Sequence, residues 1–296
     1  KKGVIVSTNF ILIAAIVLGA IALISAVILY FVSKAFKVIE DPRIDEVAQR
    51  LPGANCGGCG FAGCRNLAEE IVKRESLEGL GCPAGGNSVS EEIANYLGLK
   101  ADQSEPKIAV LRCNGSCENA PAKSSYDSAL TCEFAATIFA GESACAFGCL
   151  GYSDCVKACK FDAIHIDETT NLPVVDEEKC VACGACAKAC PRKLIEMRNK
   201  EKKGRRVYVA CRNTEKGAVA KKNCTVACIG CGKCAKVCAF DAITIENNLA
   251  YIDFTKCKLC RKCVTECPTH AIHECHFPPK AEKPVEQQVE TEIVNN

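Results

Sequence analysis

Cys257, Cys260, Cys263 and Cys267, followed at once by Pro268, form the run C-x2-C-x2-C-x3-C-P, and nothing else constrains this chain as strongly. Three thiols within seven residues can take three corners of an iron–sulfur cubane, while the fourth cysteine, before the proline, reaches across to a second cluster. A zinc ion asks for four tetrahedral ligands delivered as two separated pairs. Triplets at two-residue spacing do not supply that pattern.

The chain has 26 cysteines in 296 residues, with four histidines, one methionine and no tryptophan. Such density in a small secreted protein would mark a disulfide framework. Here the spacings are ligand spacings, which places the thiols in a reducing compartment. The net charge of +2 gives no electrostatic case for nucleic acid as a partner. Phe10 to Val32 is 23 residues without a charge, long enough to span a hydrocarbon core of ~30 Å. Tyr30, Phe31, Lys34 and Lys37 stand where interfacial anchors belong. The run is longer than a signal-peptide core and does not end on small residues, so a retained single-pass anchor in the cell membrane is expected. Cluster assembly inside the cell then places the long C-terminal part in the cytoplasm.

The remainder repeats itself. Cys155-Val-Lys-Ala-Cys159-Lys-Phe-Asp-Ala-Ile164 returns 79 residues later as Cys234-Ala-Lys-Val-Cys238-Ala-Phe-Asp-Ala-Ile243. Cys180, Cys183, Cys186 and Cys190 return after 77 residues as Cys257, Cys260, Cys263 and Cys267. One unit has been duplicated. The expected organisation is an anchor (1–34), an N-terminal 4Fe-4S module (35–98), a cysteine-bearing middle region (107–148), two ferredoxin units (149–198 and 207–275) and a disordered tail (276–296). The fold class is α+β, built from small iron–sulfur modules: one N-terminal transmembrane helix, the N-terminal module and tandem bacterial-type 2[4Fe-4S] ferredoxin folds. Periodicity predicts helices over 65–76 and from a Ser88-x-x-Glu91 capping box to Tyr96, and a strand over 107–112. The basic run Asn199 to Arg206 reads as a solvated link between the copies, with docking of an acidic partner as the alternative.

Cluster ligands follow from the crossing rule. In the second copy Cys228, Cys231, Cys234 and Cys267 make one set, and Cys257, Cys260, Cys263 and Cys238 the other. In the first copy Cys180, Cys183, Cys186 and Cys159 are complete, whereas Tyr152 stands where the second copy has Cys231. Its sister set therefore retains only Cys149, Cys155 and Cys190. Upstream, Cys56-Gly-Gly-Cys59-Gly-Phe-Ala-Gly-Cys64 with Cys82-Pro83 forms a further set, whose glycines let backbone N–H groups approach cluster sulfurs. These assignments leave Cys113, Cys117, Cys132 and Cys145. The preferred split makes them one cluster beside a three-cysteine site; the alternative gives Cys145 to that site and leaves the other three as structural thiols. Four clusters are assigned on this basis and five or six expected. Cys211, Cys224 and Cys275 are expected not to be ligands. No dinucleotide fingerprint or Walker motif is present. His165, His270, His273 and His276 show no ligand spacing, and no nucleophilic triad can be assembled. The chain moves electrons and has no catalytic residue of its own.

The order of anchor, Leu51-Pro-Gly-Ala-Asn-Cys56-Gly-Gly-Cys59-Gly-Phe-Ala-Gly-Cys64 and tandem ferredoxin units resembles the B subunit of the Rnf electron-transport complex over about residues 5–275. The N-terminal motif alone is shared with corrinoid iron–sulfur proteins. The resemblance implies a subunit that receives electrons in a membrane complex coupling electron flow between reduced ferredoxin and NAD+ to Na+ or H+ translocation. It implies soluble ferredoxin as donor and flavin-bearing, NAD-binding and membrane-integral subunits as partners. The chain departs from common ferredoxins at Lys160 and Ala239, where proline often follows the fourth cysteine. The alternative function is a membrane-tethered polyferredoxin serving a separate enzyme, a corrinoid protein activator or a redox-sensor reducer.

Overall fold

The computed structural model describes residues 8–35, 41–101, 103–127, 131–138 and 141–278. The expected disordered tail, apart from 276–278, lies outside the described residues, as do 36–40, over which the anchor helix is expected to continue. The chain forms two compact units, Lys1–Glu46 and Val47–Asn296. In the first, α1 (Thr8–Ala35) is a single 28-residue helix. Its stretch Ala15–Lys34 is long and apolar enough to cross a membrane, and none of it is buried. A short helix follows, α2 (Pro42–Arg50).

The second unit begins with a small helical module, α3 (Cys64–Arg74) and α4 (Gly86–Leu97). Leu67, Ala68, Ile71 and Val72 on α3 recur at helical spacing and are buried with Ile93 and Ala94 of α4. Gly98, with φ of 69°, ends α4 and returns its N–H to the Ala94 carbonyl. The capping-box expectation fails: α4 starts two residues before Ser88, whose hydroxyl donates back to the Gly85 carbonyl. Gly85 and Gly86 begin the helix without a side-chain cap.

Beyond it, β1 (Lys107–Leu111), α5 (Cys132–Ile138), α6 (Asp154–Lys157), β2 (Ile164–Ile166), β3 (Pro173–Val175), α7 (Ala185–Ala189) and β4 (Ile195–Asn199) form the first ferredoxin unit and its approach. The second consists of β5 (Arg206–Val209), α8 (Gly217–Asn223), α9 (Lys233–Lys236), β6 (Ile243–Glu246), β7 (Leu249–Ile252), α10 (Lys262–Thr265) and β8 (Ile272–Cys275). The strands pair as four antiparallel ribbons: β1 with β4, β2 with β3, β5 with β8 and β6 with β7. Each copy thus has an outer ribbon closed by a strand from upstream, and the middle region shares a sheet with the first unit through β1. Isolated two-stranded ribbons are marginal in water, so these need the apolar contact between the copies. Ile108 and Val110 of β1 pack against Tyr208 and Ala210 at β5. Arg112 donates to the carbonyls of Val209 and Cys211. Arg198, 1% exposed, donates to Glu196 and to the Ile252 carbonyl, and lies over the rings of Tyr208, Tyr251 and Phe254. The expected solvated link at 199–206 is in part a clamp, because Arg206 pairs with the half-buried Glu177, which also bonds His276.

Candidate iron–sulfur centres

Four loops share one backbone device. Gly230 and Gly232 flank Cys231, Leu259 and Arg261 flank Cys260, Ala182 and Gly184 flank Cys183, and Gly151 and Ser153 flank Tyr152; all eight have positive φ. Such alternation turns successive N–H groups inward, making a concavity that binds anions. Leu259, Arg261, Ala182 and Ser153 adopt a conformation that side chains disfavour. A sulfur-rich anion in each concavity is the return for that strain.

Five cavities are each lined by four cysteines. Site I, about 350 Å³, has Cys159, Cys180, Cys183 and Cys186. Site II, about 350 Å³, has Cys132, Cys149, Cys155 and Cys190. Site III, about 290 Å³, has Cys113, Cys145, Cys211 and Cys224. Site IV, about 330 Å³, has Cys228, Cys231, Cys234 and Cys267. Site V, about 340 Å³, has Cys238, Cys257, Cys260 and Cys263. In the N-terminal module Cys82 lies near Cys59 and Cys64, while Cys56 lies beside Cys183 of site I.

The structure therefore gathers the sets read from the crossing rule at sites I, IV and V. It does not bring Cys113, Cys117, Cys132 and Cys145 together. Cys132, at the start of α5, meets Cys149, Cys155 and Cys190 instead, and Tyr152 and Asp154 hydrogen-bond its sulfur through their backbone N–H groups. Tyr152 keeps the loop while the fourth thiol arrives from upstream. Cys145 joins Cys113 at site III, so neither arrangement expected for these four cysteines is the one formed. Cys117 is exposed, its sulfur 4.0 Å from the Thr170 carbonyl. Cys211 and Cys224, expected not to be ligands, line site III. The sequence does carry a signal for them: counting 79 residues on from Cys132 and Cys145 gives Cys211 and Cys224. The repeat extends further upstream than its obvious motif.

The donor chemistry fits iron–sulfur clusters. Backbone N–H groups address the sulfurs: Ala163 to Cys159, Leu194 to Cys190 and Ala250 to Cys228, at 3.3–3.5 Å. Such bonds stabilise sulfur that carries negative charge. Among the described residues no three Cys, His, Asp or Glu side chains converge closely enough for a single metal ion, whereas a zinc site would hold its sulfurs roughly 3.8 Å apart. Burial pushes the thiols up, Cys149, Cys186 and Cys263 to about 12 and Cys155 and Cys234 to about 11. Nearby cysteines push in the same direction. Four such thiolates cannot coexist without cationic iron, so cluster insertion must release protons. A bound cluster supplies a one-electron carrier that makes and breaks no substrate bond.

Three family models match the chain: "Putative Fe-S cluster" over residues 51–83, 4Fe-4S binding domain over 173–196 and 4Fe-4S dicluster domain over 227–271. The B subunit of the Na+-translocating ferredoxin:NAD+ oxidoreductase complex of Acetobacterium woodii is 45% identical over 89% of this chain and 78% of its own length. The B subunit of the proton-translocating ferredoxin:NAD+ oxidoreductase complex of Clostridium ljungdahlii is 39% identical over 89% and 92%. The B subunit of the ion-translocating oxidoreductase complex of Methanosarcina acetivorans is 40% identical over 86% and 95%. With its 4Fe-4S domains, helical module and tandem ferredoxin units, the chain belongs to the family of B subunits of the Rnf complex, the ion-translocating ferredoxin:NAD+ oxidoreductase.

Proposed function

We propose that this chain is the arm through which electrons from a soluble reduced ferredoxin reach the membrane-bound part of the complex. Clusters are held by Cys56, Cys59, Cys64 and Cys82 and by the cysteines of sites I, II, IV and V. The observation that carries this reading is the contact order of these sets. Cys56 neighbours Cys183 of site I, Cys186 of site I neighbours Cys155 of site II, and Cys234 of site IV neighbours Cys263 of site V. Neighbouring clusters pass one electron at a time without proton or bond changes.

Electrons enter at the second ferredoxin unit. Cys231 and Cys260 are exposed there, and Lys233, Lys236, Lys256, Lys258 and Lys262 are exposed around them. This basic surface suits an acidic electron carrier, and complementary charge raises the encounter rate. α1 anchors the arm, the iron–sulfur part lies in the cytoplasm, and the N-terminal module delivers electrons to flavin-bearing, NAD-binding and membrane-integral subunits. Relatives named for Na+ and for protons are both similar to this chain, which supports placing the choice of coupling ion in those other subunits.

The test is Cys59→Ser in the intact complex, purified without oxygen. Reduced ferredoxin should still reduce sites IV and V, seen by EPR, while flavin reduction in the partner subunits stops. Normal flavin reduction would overturn the N-terminal set as exit. Purification of the chain free of flavin and NAD-binding subunits, under conditions that keep the membrane intact, would favour a tethered polyferredoxin instead.

A further inference from the structure

Two ferredoxin units each hold a pair of sites, but a relay needs a carrier between the pairs. We propose that Cys113, Cys145, Cys211 and Cys224 hold a further 4Fe-4S cluster at site III, the bridge across which every electron passes from one ferredoxin unit to the other. The proposal deepens the relay reading above and rests on it.

Site III has the same character as its neighbours: four cysteines around about 290 Å³, walled by loops and apolar side chains. Its sulfurs are met by donors. The Asn213 N–H approaches Cys211 Sγ at 3.4 Å, and the Asn213 side-chain amide approaches Cys145 Sγ at 3.7 Å. Asn213 is fully buried, so its amide is committed to this place, where it is held by a second bond to Glu215. Gly115 permits close approach, because a Cβ there would lie 3.5 Å from Cys224 Sγ and 3.6 Å from Cys113 Sγ. Donors converging on sulfur are what a cluster uses to balance its charge; buried structural thiols have no need of them.

Position makes the site a bridge. The Cys149 N–H, from site II, donates to Cys113 Sγ at 3.4 Å. The Cys228 N–H, from site IV, bonds Cys211. A single residue thus belongs to one site and hydrogen-bonds a sulfur of the next, on both sides. The ligands come equally from the two halves: Cys113 stands two residues beyond β1 and Cys211 two beyond β5, while Cys145 and Cys224 are themselves repeat partners. Arg192 lies between sites II and III, where its charge acts on Cys145, Cys149, Cys113 and Cys190. With site III filled, only Cys117 and Cys275 of the 26 cysteines remain outside a set. An electron leaving site IV reaches site III and then site II; each donor is oxidised by one electron and each acceptor reduced by one.

The test uses the full chain, purified anaerobically and reconstituted with ferrous iron and sulfide, with iron and sulfide counted per folded chain. Cys211→Ser and Cys224→Ser should each lose about four iron of about 24, while Cys117→Ser and Cys275→Ser lose none. On addition of reduced ferredoxin to the Cys211→Ser chain, sites IV and V should reduce while sites I and II stay oxidised. Asn213→Ala should keep the iron and lower the potential of a single cluster, which separates a ligand sphere from a folding effect. Full iron content with an unchanged EPR spectrum in both serine variants would overturn the bridge. About 20 iron in the wild-type chain with normal electron passage would also overturn it while leaving the relay intact. A chain without reducible iron would overturn the relay itself.

Discussion

Replacing Gly58 tests how tightly the N-terminal module is joined to site I. Gly58 has no positive φ that would demand glycine; closeness demands it. A Cβ there would lie 2.8 Å from Cys183 Cα and 2.9 Å from both its Cβ and its carbonyl oxygen. These are backbone and near-backbone atoms that cannot rotate away. Reaching the ~3.5 Å at which carbon atoms attract requires the joint to open by roughly 0.7 Å. Two lysines oppose that opening: Lys160 donates to the Asn55 carbonyl at 2.9 Å and Lys188 to the Gly57 carbonyl at 3.5 Å. Gly58→Ala should therefore cost about 1–3 kcal/mol, the usual range for overpacking, and Gly58→Leu more. The assay is thermal unfolding of the iron-replete chain beside EPR of its reduced form, in which neighbouring clusters broaden each other's signals. The expected result is full iron content, a lowered melting temperature and a weakened interaction between the N-terminal and site I signals. Unchanged stability and unchanged broadening in an iron-replete Gly58→Leu chain would refute the close joint.

Cys132→Ser should remove the site II signal, and adding Tyr152→Cys should restore it by returning the fourth ligand to its usual ferredoxin place; no loss in the single variant would remove Cys132 from the ligand set. Glu177 loses solvation through burial, yet the hydrogen bonds from Arg206 and His276 outweigh this and hold its pKa below the usual value. Its contribution is thus complete above the ordinary Glu value of about 4.3 and lost as pH falls through the lower folded value. Glu177→Gln should accordingly lower the melting temperature by a constant amount from pH 8 to about pH 5, roughly 2–4 °C for each kcal/mol lost; a difference that changes over that range would contradict the assignment. Lys258→Glu with Lys262→Glu should slow reduction by ferredoxin at low salt and abolish most of its salt dependence, since exposed charges act within a Debye length of about 10 Å at 0.1 M. Stopped-flow mixing measures this, and equal salt slopes for wild type and variant would discard the docking surface.

What could be read in the sequence was whatever local spacing encodes. The C-x2-C-x2-C triplets, with the fourth cysteine crossing over, place ligands by backbone geometry within a few residues, and sites I, IV and V are gathered as that rule requires. The apolar run became one long helix for the same reason, composition acting over consecutive residues. Sites II and III are assembled from distant segments, and no spacing rule links Cys132 to Cys190 or Cys113 to Cys224. Their joining depends on β1 pairing with β4 and on β1 packing against β5. Only the repeat offset carries that information, and it is visible once Cys132 and Cys145 are aligned with Cys211 and Cys224. Ser88 shows the opposite error: its local capping signal is silent because two glycines already start the helix.

The most direct test of the account is the order in which the centres of the intact complex are reduced. Reduced ferredoxin is mixed with the oxidised complex and the reaction frozen at successive times for EPR. The account predicts that signals from sites IV and V appear first, those of sites I and II later, and that of the Cys56, Cys59, Cys64 and Cys82 set last, before flavin reduction in the partner subunits. Reduction of the N-terminal set ahead of sites IV and V would contradict it.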